Sequence, residues 1–475
     1  MFNSRKKQIY FILSATILLA ILLWLKLFSV SPKRIAKPYS DLKTLQKIGR
    51  IRIGILQNNT DYYIDNGHVK GFQYELAELM SAELNLVPHY VVYNNFCDNF
   101  FALLNNEVDV LAMNLIPTPA GKRFLRYTLP HSFSEHVLVQ RKKDLYINEK
   151  QEFMFNEDSL SDKKIVLNTT AFSTCYSDAL NLSYKYNNEI ITLKSNNSYD
   201  INSLFNKLDT GSIDLFILDA KTVKSNALLY PNLDYSVRLT QPMPQSWAVH
   251  PKNKTLCNAI DKWLNGFVGS NVYNQLQQRY FSEQSNNRQH LAHQHRKKLT
   301  DRISRYDDLV KRYAEKKGLD WRFVSAIIFQ ESKFDPTVTG AGGAHGLMQI
   351  MPVTAAHLSM NLEESPEKQI ENGCILIATI VEKYKEFYKK ENDLLKIVLV
   401  AYNTGSGNVE AVRNLAKQKG LNPNCWEDIE YVLDNVSNKS FVQGKTGIKG
   451  KIALEYVYKV WRHYAHYKNL HGKDL

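Results

Sequence analysis

One break in periodicity divides this chain. Over residues 49–281 short apolar runs of strand length alternate with amphipathic helical stretches, whereas over 299–475 the apolar residues recur only near the 3.6-residue period of a helix. The segment between them, 282–298, is rich in Gln, Asn, His and Arg, lacks apolar periodicity and reads as a linker. At 475 residues the chain is too long for one ordinary core. The break therefore predicts two separately cored domains: α/β over 49–281 and α-rich over 299–475.

Within the first domain, 51–56 reads as a buried strand, 71–80 opens an amphipathic helix, and Pro88 punctuates a turn before a strand at 89–93. A helix at 99–105 and a strand at 108–113 follow, and the pattern restarts with a strand at 164–168. The run 213–219 repeats the 108–113 strand. Such alternation argues for mostly parallel pairing. Its two rounds predict two α/β lobes in tandem with a cleft between them.

The N-terminus points to the compartment. Arg5, Lys6 and Lys7 precede a stretch to Leu25 that is uncharged and nearly all apolar from Ile9, the order of features that directs export. Its length is near the minimum for a bilayer span, and Ser29-Val30-Ser31 is a poor cleavage site. Residues 1–30 are thus expected to be an uncleaved inner-membrane anchor in preference to a removed signal peptide, with 31–48 a polar connector. The net charge of +13 suits an anionic polymer or lipid surface. An exported chain without a clustered basic motif has little opportunity to meet nucleic acid. The five cysteines allow Cys175–Cys257 and Cys374–Cys425 bridges, or isolated buried thiols. No CxxC and no Cys/His cluster at ligand spacing is present, so neither a metal nor another cofactor is expected.

In the helical half, Glu331 ends the apolar run Trp321 to Gln330 and is followed by the glycine-dense turn Gly340 to Gly346 and by Leu347-Met348-Gln349. An apolar wall beside a carboxyl disfavours its charged form, and an acid still protonated near neutrality can protonate a leaving group. Glycines allow backbone to approach a bulky substrate. Glu331-Ser332, then Gly343-Ala344-His345-Gly346-Leu347-Met348-Gln349, then Ala401-Tyr402-Asn403-Thr404-Gly405, then Tyr456-Val457, together and in that order, resemble the lysozyme-like domain of the family 1 lytic transglycosylases of bacterial cell walls. The preceding region resembles the periplasmic amino-acid-binding proteins of ABC importers. Its cues are the Gly71-Phe72 to Leu76-Ala77 helix, Asp109 to Leu115, and Asp214 to Asp219.

The first resemblance implies that Glu331 is the single catalytic acid. It would protonate the oxygen leaving the MurNAc–GlcNAc β-1,4 bond, then serve as base on the muramic C6 hydroxyl, giving 1,6-anhydroMurNAc ends. Ser332, Met348, Gln349, Tyr402, Asn403 and Tyr456 match positions that line or contact the substrate. The serine usual nine positions after the glutamate is Gly340 here, with Thr339 as its substitute. Asp335, before Pro336, reads as a turn cap rather than a second catalytic acid. The second resemblance implies that Ser173, Thr174 and Asp219 hold an effector, with Thr174 and Ser173 at a helix N-terminus. Its carboxylate-binding arginine, three residues after a threonine, falls on Gly121, with Lys122 and Arg123 displaced by one and two and Arg123 the remaining candidate for the effector site. That puts free amino-acid binding in doubt and leaves a muropeptide as plausible.

The expected partners are therefore peptidoglycan strands, a membrane and a muropeptide effector, on the periplasmic side of a Gram-negative envelope. The inner membrane is favoured by the sequence, and the outer membrane is compatible with the resemblance. Two rivals stand beside the transglycosylase: a goose-type muramidase, and an exported solute-binding sensor whose second domain only holds peptidoglycan. A flexible tether at 282–298 transmits little geometry, so ligand control of the second domain is not expected.

Overall fold

The computed structural model of the chain describes residues 40–144, 147–150, 165–169, 174–185, 191–195, 201–226, 229–282, 302–359, 361, 365–436 and 449–471. The expected anchor at 1–30, Ser173 and the linker beyond Ser282 lie outside the described residues, as do the acidic Glu363 and Glu364. Among the described residues no helix is long and apolar enough to cross a membrane.

The α/β domain opens with α1 (Leu42–Ile48), capped by Asp41, whose carboxylate accepts from Thr44 N at 2.8 Å, and ended by Gly49 at φ 76°. There follow β1 (Arg50–Leu56), the hairpin β2 (Tyr63–Asp65) and β3 (His68–Lys70), α2 (Phe72–Glu83), β4 (Val87–Tyr93), α3 (Phe96–Leu104), β5 (Val110–Leu115) and β6 (Arg126–Ser134). The second lobe holds β7 (His136–Arg141), β8 (Ile165–Thr169), α4 (Cys175–Lys185), β9 (Ile191–Ser195), α5 (Ile201–Asp209), β10 (Leu215–Asp219), α6 (Ala220–Asn226) and β11 (Leu233–Asp234). The chain then returns to the first lobe with β12 (Met243–Val249), α7 (Lys254–Phe267) and α8 (Asn271–Phe281).

Two five-stranded sheets result, ordered β4-β1-β5-β12-β6 and β11-β7-β10-β8-β9. The expected strands are all present, but the pairing is mixed. β1 runs parallel to β4 and β5, whereas β12 runs antiparallel to β5 and β6, and β7 antiparallel to β10 and β11. The antiparallel members flank the two crossings between lobes, where the chain enters a sheet from the other end. Pro88 lies inside β4 rather than in a turn. That strand is at a sheet edge, where a missing N–H removes no ladder bond.

The α-rich domain comprises α9 (Asp307–Glu315), α10 (Trp321–Ser332), α11 (Pro352–His357), α12 (Pro366–Tyr384), α13 (Glu391–Thr404), α14 (Ser406–Gln418), α15 (Trp426–Asn435) and α16 (Gly450–His471). α10 is the central one: Phe323, Val324, Ala326, Ile327, Ile328 and Phe329 are all buried, so its surface is apolar nearly all round. α16 packs against α10, α13 and α15.

The domains are not joined by the linker alone. The β2–β3 hairpin rests on the back of α10. Ile64 belongs to the helical core, the His68 ring lies 4.7 Å from that of Phe329, and Tyr467 of α16 donates to Gly67 O at 2.8 Å. A Cβ on Gly67 would come within 2.4 Å of the Phe329 ring. Arg462 bonds Tyr74 at 3.0 Å and pairs with Glu78 of α2, and Asn469 donates to Tyr90 O at 3.1 Å. The expectation of a loose tether thus overlooked a buried aromatic interface between residues about four hundred apart in sequence. All five cysteines are free thiols, so neither anticipated bridge exists: Cys175, Cys257 and Cys374 are buried, and Cys425 donates to Glu427 at 2.9 Å.

Candidate active site

α10 sets the position of Glu331. Asp320 caps its start by accepting from Arg322 N at 2.9 Å, and Lys333, left-handed at φ 55°, ends it by donating its N–H to Phe329 O at 3.1 Å. Phe334 follows at φ 65°. Two successive bulky residues in that region are costly and turn the chain sharply away, leaving Glu331 on the last turn with its carboxyl half-buried. The negative end of a helix opposes a carboxylate there.

Burial pushes Glu331 up to about 7, against a lowering by the Tyr456 hydroxyl and by the nearby Lys333 charge. Tyr456 of α16, itself buried, donates to Glu331 Oε1 at 2.5 Å. Tyr402 of α13 donates to Met348 O at 2.6 Å, and its phenol is close enough to feel the Glu331 charge. Both tyrosine hydroxyls are pushed well above the ordinary phenol value by burial first, so they remain donors at any working pH. Among the described residues no second carboxylate is recorded among the groups that shift Glu331. Asp335 caps a turn, as expected, accepting from Thr337 N at 2.9 Å and Thr337 Oγ1 at 2.7 Å.

The remaining expected contacts divide differently. Asn403 is exposed on α13. Ser332 faces inward, donating toward Ile328 O at 3.2 Å and Leu347 O at 2.9 Å, so it staples the glycine turn to α10. Met348 is core, packed on Gly373, where a Cβ would come within 2.4 Å of it. Gln349 spends its amide on the turn, with Nε2 donating to Val338 O at 2.8 Å and Gly346 O at 2.9 Å. A Cβ on Gly340 would meet Gln349 Oε1 at 2.2 Å, so the glutamine amide fills the space a serine would need. Thr339 does not take over that place, because its hydroxyl turns outward to His345 Nδ1 at 3.4 Å. A residue the sequence did not flag completes the support. Gln369 of α12 accepts from Leu347 N at 2.8 Å, and the φ of 72° at Gly346 brings backbone so close that a Cβ there would lie 2.4 Å from Gln369 Oε1. Its only sequence signal was a polar residue on the apolar face of a helix.

In the first domain Thr174 and Asp219 line a cavity between the lobes, whereas Arg123 is exposed and does not line it.

Residues 308–424 match the family described as Transglycosylase SLT domain, and residues 51–283 that described as Bacterial extracellular solute-binding proteins, family 3. The chain is similar to proteins named membrane-bound lytic murein transglycosylase F. It is 27% identical over 409 residues to that of Pseudomonas syringae pv. syringae (strain B728a), covering 86% of this chain and 80% of the relative. To that of Pseudomonas putida (strain GB-1) it is 26% identical over 435 residues, covering 90% and 87%. Among solved structures, holo ArgBP from T. maritima aligns with a TM-score of 0.41 and 20% identity over 50% of this chain and 99% of that one.

Proposed function

We propose that this chain, homologous over nearly its whole length to membrane-bound lytic murein transglycosylase F, is a peptidoglycan lytic transglycosylase with Glu331 as its acid and base. The observation that carries the reading is a half-buried carboxyl pushed up to about 7 by burial and gripped by Tyr456, with no second carboxylate among the described residues that shift it. Paired carboxylates are what ordinary glycosidases use. A lone acid suits a route in which the substrate supplies its own nucleophile. Glu331 protonates the glycosidic oxygen as its bond to the muramic C1 breaks. The resulting carboxylate takes the proton of the C6 hydroxyl as that oxygen bonds C1. The ring closes, the acid is restored, and no water is consumed. Tyr456 stabilises the carboxylate between the two steps, and Tyr402 fixes the Met348 carbonyl and the glycine turn beside it.

Mass spectrometry of purified sacculi digested by the full chain tests this. Fragments ending in 1,6-anhydroMurNAc are expected; reducing ends would assign a goose-type hydrolase, and no fragments at all a domain that only binds wall. The N-terminal stretch Arg5 to Leu25 supports membrane attachment with both domains on the periplasmic side. The inter-lobe cavity supports an effector role for the first domain, and the hairpin on α10 is the contact through which it would reach the enzyme.

A further inference from the structure

The cavity between the lobes measures about 470 Å³, within the range of small-molecule sites. Phe96, Phe100, Phe101 and Phe124 give it a broadly apolar wall. Its charged groups are out of balance. Asp61, 3% exposed, lines it; Oδ2 accepts from Asn58 Nδ2 at 2.9 Å, while Oδ1 is buried with no hydrogen-bond partner among the described residues. Asp219 lines it from the second lobe, its Oδ1 accepting from Thr222 N at 3.0 Å and from Ser134 at 3.5 Å. Burial pushes Asp61 up to about 7 against the Asn58 hydrogen bond, and the charge of Asp219 adds to the rise.

No lysine or arginine is among the described residues lining the cavity. The one basic side chain there, His136, is tied through Nδ1 to Asp178 at 2.6 Å. The position of the family's carboxylate anchor is closed as well as empty: a Cβ on Gly121 would meet Tyr127 Oη at 2.1 Å and Thr118 Oγ1 at 3.0 Å. Any side chain starting there must first displace the Tyr127 phenol.

We propose that this cavity binds an organic cation, an ammonium group on an apolar body with no carboxylate beside it, and that Asp61 and Asp219 are its counter-ions. An ammonium gives Asp61 Oδ1 the donor it lacks and relieves the repulsion between two carboxylates in a low-dielectric pocket. A free α-amino acid brings a third carboxylate to a site with no unpaired cation to receive it, which costs more than its ammonium returns. A peptide N-terminus, by contrast, has the required form. The proposal concerns binding alone and stands whether or not Glu331 is catalytic.

Isothermal titration of the full chain with phenethylamine, phenylalanine and 2-phenylethanol separates the possibilities, because the three share one apolar body. Phenethylamine is expected to bind at least about tenfold more tightly than either of the others. Asp61→Asn and, independently, Asp219→Asn should each weaken it by about tenfold or more, with the far-ultraviolet dichroism of the chain unchanged. Phenylalanine or 2-phenylethanol binding as tightly as the amine overturns the proposal. So does unchanged amine affinity in both variants, or no heat from the amine at millimolar concentration.

Discussion

Replacing Glu331 by Gln separates the chemistry of the acid from its cost to the fold. Burial raises this carboxyl from 4.5 to about 7. A group whose folded pKa lies above its unfolded value holds its proton more tightly in the native state, so stability falls as pH rises from 4.5 to 7 and the loss is complete above that. With allowance for the side chain's partial exposure the loss is on the order of 2–3 kcal/mol. Glutamine has nearly the same shape, keeps an oxygen to accept from Tyr456, and never becomes a buried charge. The variant should therefore match the wild type in stability near pH 4.5 and exceed it at pH 8. For a domain of this size that is roughly 5–10 °C in Tm. Thermal unfolding scans across that pH range, run beside sacculus-clearing assays at each pH, read both effects. The variant should be inactive throughout. A Tm gap that does not widen with pH would refute the burial argument, and a variant that still released anhydro ends would remove Glu331 from the mechanism.

Two further changes probe what surrounds the acid. Tyr456→Phe deletes the hydrogen bond that the Tyr456 hydroxyl donates to Glu331; a hydrogen bond to a charged acceptor is worth about 1.5–3 kcal/mol, so kcat should fall and the alkaline limb of the kcat/KM profile should move up by roughly 1–2 pH units. A limb that stays put or moves down contradicts the assignment. Gly340→Ser should push the Gln349 amide off Val338 and Gly346, lowering stability by about 1–2 kcal/mol in a denaturant titration, and a more stable variant would show that the space is not filled as described.

Much of the site was legible before any coordinates, because its chemistry is carried by residue types in a fixed order along one domain. Glu331 beside an apolar helical run, followed by glycines, already implied a carboxyl with a raised pKa, and Asp335 before Pro336 implied a turn. Side-chain direction was not legible. Ser332, Met348 and Gln349 were read as cleft residues, yet Ser332 and Met348 are buried and the Gln349 amide is spent on the turn, since a motif gives spacing and not which side of a tight turn is solvated. Strand pairing was not legible either: β6, β7 and β12, which bring in the antiparallel pairs, were not among the strands read from the sequence, and period-2 alternation is in any case the same in either direction.

The sequence by itself determined the division into an α/β and a helical domain, because apolar periodicity follows from which faces must leave water, and that is settled element by element. Only the tertiary structure decided how the two meet and which residues line the cavity between the lobes. The hairpin behind α10, the Tyr456 grip on Glu331 and the placing of Asp61 and Asp219 in one cavity all join residues far apart in the chain. Such pairings depend on packing many elements at once, and no local pattern encodes them.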